Sequence, residues 1–382
     1  MNIKNTRKPE RRIDTRYIGS TNVQSFGADN LYPQHIIRIV QSSPNGSTCV
    51  ERRATYIEGN GLASQAMSDS VCDNAGITFD DIHHLCAEDM AYFDGFALHV
   101  NYNVRGEIVS LGHIPFENCR LCEPDEEGVV SQIAVHPDWS QTTTRNGKPL
   151  KVSAETCDYI DVFNPSPTIV QQQMAKAGGV VMYKGQVLYV TRAGRNIYCE
   201  PTADTVLTEM SGDEAVSNVL CRNVRNNFLP AGVFVTKKGQ TAEDDDSGFA
   251  NELARLQGDM NALKILHVEI ESDEDEPTFK PFDSKNYDKE FSTTAAHFID
   301  NIYARFNQEQ FGRLRSGSIG FSGDLANDVK REYAEQVTKQ QRMLTRAYKA
   351  IVERWEPGVL PYNGVADLAI EPLIKSINNV DN

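Results

Sequence analysis

Between Pro33 and Phe93 apolar residues recur every three to four positions, and from Phe96 onward they alternate with polar ones. The first spacing lays apolar side chains along one helix face, and the second puts them on one side of a strand. One helix follows Pro33 and carries Ile36, Ile37, Ile39 and Val40. A second starts at Ser43-Pro44, with Pro at the first helical position, and stops at Gly59-Asn60-Gly61. A third begins near Thr78, with Asp80 and Asp81 at its positive end, and places Ile82, Leu85, Met90 and Phe93 at helical spacing before Gly95 ends it. The run Phe96–Tyr102, a turn at Asn103–Gly106 and the run Glu107–Leu111 predict a hairpin. Further strands are expected at 129–136, 157–163, 179–183 and 186–192. Antiparallel strands following helices make the fold α+β and not a doubly wound nucleotide fold.

Helical spacing returns after Pro201, through Val206, Leu207, Met210, Val216, Leu220 and Val224 to about Phe228. Gly232–Thr236 reads as a strand, Phe249–Asn261 as a short helix and Leu263–Ile270 as another strand, a small β-α-β insert. Residues 229–285 hold thirteen Asp/Glu against six Lys/Arg, concentrated at Glu243, Asp244, Asp245 and Asp246 and again at Asp273, Glu274, Asp275 and Glu276. Such runs are either solvated loops or docking surfaces. Ser284–Gln308 is helical, with Phe291, Ala295, Phe298, Ile299, Ile302 and Phe306 on one stripe. A glycine- and serine-rich break, Phe311 to Gly323, separates it from a last long helix, Asp324 to Trp355. The apolar face of that helix holds Leu325, Val329, Tyr333, Val337, Leu344, Tyr348, Ile351 and Val352.

Composition removes several function classes. The 382 residues carry 38 Lys and Arg against 53 Asp and Glu, a formal charge of −15. An acidic chain cannot grip nucleic acid over its whole surface, because phosphate binding needs a basic footprint. No stretch approaches 18 consecutive apolar residues and the N-terminus lacks an apolar core segment, so neither a membrane span nor a secretory signal is expected. Residues 1–16 hold six cations (Lys4, Arg7, Lys8, Arg11, Arg12 and Arg16) against Glu10 and Asp14. That arm reads as a frayed terminus or as a clamp on an acidic partner.

Motifs for chemistry are missing. Neither GxxxxGK[ST] nor GxGxxG after a strand is present; the nearest glycine-rich pieces are Gly178-Gly179 and Gly317-Ser318-Ile319-Gly320. There is no GxSxG. The eight cysteines are scattered and read as reduced thiols. Cys119-Arg120-Leu121-Cys122 is the one CxxC, without a second pair at zinc spacing. His83, His84 and Cys86 lie within a helical pattern where i and i+3 share a face, a ligand set that would need a further partner. Nothing nominates a catalytic residue, a metal or a cofactor.

The order of parts resembles a tailed-bacteriophage portal protein. Three stretches carry the resemblance. The first is Tyr56-Ile57-Glu58-Gly59-Asn60-Gly61-Leu62 followed by Phe93–Asn103, Gly106-Glu107-Ile108 and His113-Ile114-Pro115-Phe116. The second runs from Tyr198-Cys199-Glu200-Pro201 to Asn226–Gly232. The third is the helix ending near Phe306, the glycine-rich break and the final helix. Many portals place a proline where the segment after the stem begins; here Gln308-Glu309-Gln310 stands instead.

By that resemblance, which spans roughly residues 30–355, the subunit has an α/β wing, a two-helix stem, a small β-α-β clip and a long C-terminal helix. Residues 1–30 are then a flexible basic arm, 31–200 the wing, 201–228 the first stem helix and 229–285 the acidic clip. Residues 286–310 become the second stem helix, 311–323 the tunnel loop, 324–356 the wing and crown helix and 357–382 a short tail. Twelve copies form a ring at one capsid vertex of the virion, assembled in the host bacterial cytoplasm, with double-stranded DNA passing along the axis.

The resemblance implies a passive conduit and not an enzyme, ATP being hydrolysed by a separate terminase. The implied partners are the major capsid protein, terminase and head–tail adaptors, with no membrane. Glu243–Asp246 and Asp273–Glu276 would dock adaptor or terminase. The loop residues Phe311, Arg313, Arg315, Ser316, Ser318, Ile319 and Phe321 would face DNA, with Arg313 and Arg315 touching phosphates transiently or bridging subunits. Another ring component of the head–tail connector, or a metal-dependent enzyme built on His83, His84 and Cys86, are the alternatives.

Overall fold

Ser43 and Thr78 each open a helix with their own side chains. In the computed structural model four helices precede the main sheet: α1 (Tyr32–Ser42), α2 (Pro44–Glu58), α3 (Gln65–Ser68) and α4 (Phe79–Phe93). The Ser43 hydroxyl accepts the Gly46 N–H at the start of α2 (2.9 Å). At α4 the Thr78 hydroxyl accepts the Asp81 N–H (3.2 Å) while the Asp81 carboxylate accepts the Thr78 N–H (2.9 Å), a reciprocal cap. The hydrogen bonds from Thr78 hold the Asp81 carboxyl below its ordinary pKa. The helix ends one residue earlier than expected. Asp94, at φ 54°, is the left-handed C-cap, and Gly95 already belongs to the next strand.

The model describes residues 13–373 except 142–143, 146–147, 150, 193–196, 226–232, 238–265, 271–286 and 318–322. It divides into two units, one of residues up to Met210 with Asp300 onward, the other of Ser211–Ile299.

In the larger unit the strands are β1 (Tyr17–Ile18), β2 (Val23–Gln24), β3 (Gly95–Tyr102), β4 (Ile108–Ile114), β5 (Cys119–Leu121), β6 (Gln132–Val135), β7 (Thr144–Arg145), β8 (Lys148–Pro149), β9 (Asp158–Val162) and β10 (Gln186–Thr191). Six of them form one sheet in the order β4-β3-β10-β9-β6-β5. The expected hairpin is β3 and β4, paired antiparallel from Ala97 opposite Ile114 to Val100 opposite Leu111. Helix α4 lies against β3 and β4, burying Ile82, Met90 and Phe93 together with Phe96, Leu98 and Val100.

Three features of this unit differ from the sequence expectation. The sheet is mixed: β9 and β10 run parallel, with Val162 opposite Val187. A parallel pair needs a crossover, and helix α5 (Pro167–Ala177) lies between the two strands in the chain. The strand expected at 179–183 is absent; after α5 the chain turns through Gly178 (φ 92°) and Gly179 (φ 113°). Nor is residue 13 onward a free arm. Ile13, Val23 and Phe26 are fully buried, β1 pairs with β2, and the Phe26 and Tyr198 rings stack 3.9 Å apart. Residues 1–12, with most of the basic charge, lie outside the described residues.

The tail after residue 357 is likewise built in as far as it is described. Asn60 N–H donates to Glu371 O (2.7 Å) and Ala63 N–H to Ala369 O (2.7 Å). The approach explains Gly59: at φ 67°, a Cβ there would stand 2.2 Å from Glu371 O.

Pro201 is followed by a 3₁₀ turn, Thr202–Val206, before α6 (Leu207–Arg225). The returning helix is α7 (Tyr287–Arg305). The unit boundaries fall inside these two helices. Within the smaller unit they meet closely, since a Cβ on Gly212 would stand 2.6 Å from the Phe298 ring. Strands β11 (Val233–Lys237) and β12 (Leu266–Ile270) pair in parallel, Val235 opposite Val268. The expected helix 249–261 lies outside the described residues.

Beyond α7 come α8 (Glu309–Ser316), α9 (Gly323–Gln336) and α10 (Thr338–Val352). The single long helix expected over 324–356 is thus two helices broken at Val337. There Thr338 turns its hydroxyl onto the Ala334 carbonyl (3.3 Å), which competes with the backbone ladder and bends a helix.

Candidate functional site

Half of the expected tunnel loop is helical. Residues 309–316 form α8, with Glu309 in its first turn and Arg313 and Arg315 in its last, the charge order a helix dipole favours. Gly317, at φ 69°, closes it as a left-handed cap. Phe311 is packed inward: the Arg52 guanidinium lies 4.5 Å from its ring centroid and the Tyr333 ring meets it edge-on at 5.5 Å. Arg315 donates to the Asn45 side-chain oxygen (2.6 Å) although the residue as a whole is exposed. Arg313 is exposed. Ser316 is the last helical residue, and Ser318, Ile319 and Phe321 lie outside the described residues, as do Glu243–Asp246 and Asp273–Glu276 of the acidic segment.

A residue that sequence reasoning passed over organises this region. Gln308 is fully buried, accepts from Arg52 (2.8 Å), and donates to Cys49 O (2.8 Å) and to the Tyr333 hydroxyl (2.7 Å). It follows Asn307, whose φ of 54° reverses the chain after α7. One glutamine therefore ties α2, the α7–α8 junction and α9 together.

The possible metal ligands are otherwise engaged. His83 bonds Tyr348 through Nδ1 (3.0 Å) and Glu58 O through Nε2 (2.9 Å), and burial pushes its pKa down. His84 points to Glu58 (3.1 Å) and is half exposed. Cys86 is buried, and burial raises its thiol well above the ordinary range. Cys119 and Cys122 flank the end of β5 as free, buried thiols, the second pushed up to about 11. No group of three or more His, Cys, Asp or Glu side chains among the described residues is placed to hold a metal ion. No helix among them is long and apolar enough to cross a membrane.

The larger unit instead gathers positive charge. A cleft of about 580 Å3 is lined by Arg53, Arg192, Arg305, Lys339, Arg342 and Arg346, with Asp94 its one carboxylate. The inner cations are engaged. Arg53 closes on one oxygen of Asp94, and the other accepts the Thr202 N–H (2.8 Å) and hydroxyl (2.7 Å). Arg192 donates to Glu200 O (2.6 Å) and Arg305 to Thr202 O (2.7 Å). Lys339, Arg342 and Arg346 form an outer row on α10, all exposed, and none of them pairs with a carboxylate among the described residues. Chemically this is an oxyanion-binding surface on an acidic chain.

No family model and no curated protein matches the chain. Solved structures do. A chain in the neck of a native gene transfer agent particle, computed with C12 symmetry, aligns over 85% of this chain and 82% of its own length, at a TM-score of 0.52 and 13% identity. A chain in the neck of the empty particle, computed with C6 symmetry, aligns over 86% and 83%, at a TM-score of 0.50 and 13% identity. At this identity the likeness is one of fold, and the fold is α+β.

Proposed function

We propose that this chain is the portal subunit of a phage-like particle, a ring-forming conduit for double-stranded DNA between capsid and tail. The observation that carries the reading is the likeness in fold to a chain from a particle neck computed with C12 symmetry, over more than four fifths of both chains. The order of parts supports it. The mixed-sheet unit corresponds to the wing. The portions of α6 and α7 in the second unit, close-packed at Gly212 and Phe298, correspond to the stem. The parallel β11–β12 pair belongs to the clip, and the segment from Gly317 to α9 to the tunnel loop.

A head-to-tail ring of this kind closes when each interface rotates the next copy by the right angle. Twelve copies at −15 give the ring a large net negative charge, which keeps its overall hold on DNA weak, as sliding requires. The acidic runs at 243–246 and 271–276 would dock terminase and then the tail adaptors.

Capsids assembled with and without this chain test the reading. Heads that fill with DNA only when it is present, and that lose terminase when Asp244–Asp246 and Asp273–Glu276 are neutralised, are the expected result. Heads that nucleate, recruit terminase and fill without it would place the chain elsewhere in the connector.

A further inference from the structure

The outer row of the cleft has a geometry of its own. Lys339, Arg342 and Arg346 stand at i, i+3 and i+7 on α10, one face of the helix. At ~1.5 Å per residue the row is about 10 Å long. Over that length one strand of a duplex presents about three phosphates, at ~3.4 Å of axis each. Helix α10 itself holds no Asp or Glu; Lys349, further along it, pairs with Glu353 just beyond its end (3.7 Å), out of reach of the row. The three cations are separated from the acidic surface by position: the cleft's one carboxylate is buried, with both oxygens already bonded to Arg53 and Thr202. Behind them Arg192 and Arg305, each bonded to a backbone carbonyl, add positive potential, while Arg53 is neutralised by Asp94; a concave surface concentrates that field.

We propose that the Lys339–Arg342–Arg346 face is a DNA-backbone contact of this subunit, taking about three consecutive phosphates without reading bases. It is separate from Arg313 and Arg315 at the end of α8, of which Arg315 donates to Asn45 (2.6 Å). The inference rests on DNA being the cargo, as proposed above. The ligand is a phosphodiester backbone: the row is linear and solvent-facing, whereas a free phosphate would call for donors converging on one point.

The test uses the full chain and a fluorescein-labelled 30-base-pair duplex, with affinity measured against salt concentration. The variant K339Q/R342Q/R346Q is compared with R38Q/K151Q/K176Q, which removes the same charge from exposed positions outside the cleft. Each phosphate contact contributes about 0.9 to the slope of log affinity on log salt, so the cleft variant should flatten it by two to three while the control changes it by less than one. Excess inorganic phosphate should compete only through ionic strength; saturable competition at low millimolar phosphate would show a small-ion site and overturn the proposal.

Ring size, read on the same samples by native mass spectrometry, separates the two claims. Wild-type rings with equal slopes for both variants overturn the DNA contact and leave the portal reading standing. A wild-type chain that forms no ring but keeps the slope difference leaves the contact and removes the portal reading. A cleft variant that loses rings with no change of slope shows that the face holds a neighbouring subunit, and overturns the proposal.

Discussion

Arg53 pairs with Asp94 in the interior, their side chains 5% and 1% exposed. The two residues lie on different elements, mid-α2 and the left-handed end of α4, and Thr202 reaches the same carboxylate from the segment leading into α6. A charge so enclosed depends on its partner. Removing Asp94 leaves Arg53 buried without a carboxylate, and removing Arg53 leaves Asp94 to Thr202 and to Arg192 at 3.6 Å, each at a cost of up to about 3–5 kcal/mol. R53M and D94A should therefore each lose that much in denaturant unfolding, and the double variant less than their sum. Strict additivity would mean that the two side chains are not coupled.

Gln308 should behave as a joint. Q308A strands the Tyr333 hydroxyl and part of the Arg52 guanidinium and takes one donor from the Cys49 carbonyl, for a loss of about 2–4 kcal/mol. Hydrogen exchange is the sharper reading: protection should fall first in α8 and α9. A loss spread evenly over the larger unit would argue against a local joint.

Asp89 supplies a pH dependence. Burial raises its carboxyl to about 6, against hydrogen bonds from His113 (2.7 Å) and the Phe116 N–H (3.2 Å) that pull it down. Its folded pKa lies above the unfolded value near 3.9, so between pH 4 and 6 the folded state holds the extra proton. The stability this gives is full below pH 4 and is lost as pH rises through about 6. D89N removes the titration. The unfolding free energy of wild type minus that of D89N should therefore fall from pH 4 to pH 6.5; a flat or rising difference would contradict the assignment.

The helical start of the expected tunnel loop narrows the deletion that tests it. Removing 309–316 takes away Phe311 and its contacts with Arg52 and Tyr333, and should destabilise the subunit itself. Removing 318–322 should leave rings intact while impairing packaging or DNA retention. Heads that fill and hold DNA normally after this smaller deletion would dismiss the loop assignment.

What the sequence made legible is local. Ser43-Pro44 and Thr78 with Asp81 identify helix starts because a cap is satisfied within four residues. The Phe96–Tyr102 alternation finds its hairpin because the partner strand follows directly. Helix α5 is bracketed by Ser166-Pro167 and Gly178, but its apolar stripe is only Val170 and Met174 on either side of three glutamines, too short to set a helical period. The break at Val337 was hidden by the opposite effect, since the apolar spacing from Tyr333 to Leu344 runs straight through it. Gln308 and the cationic cleft were out of reach for a further reason. A glutamine becomes a joint, and three cations a row without counter-charges, only through partners some 250 residues away or through the absence of acids in space.

The central claim is that copies of this chain close into a ring around DNA. Negative-stain class averages of the purified protein measure that most directly. The account predicts annular particles with about twelve subunits and a central hole wide enough for a duplex; compact particles of one or two subunits, without a hole, would contradict it.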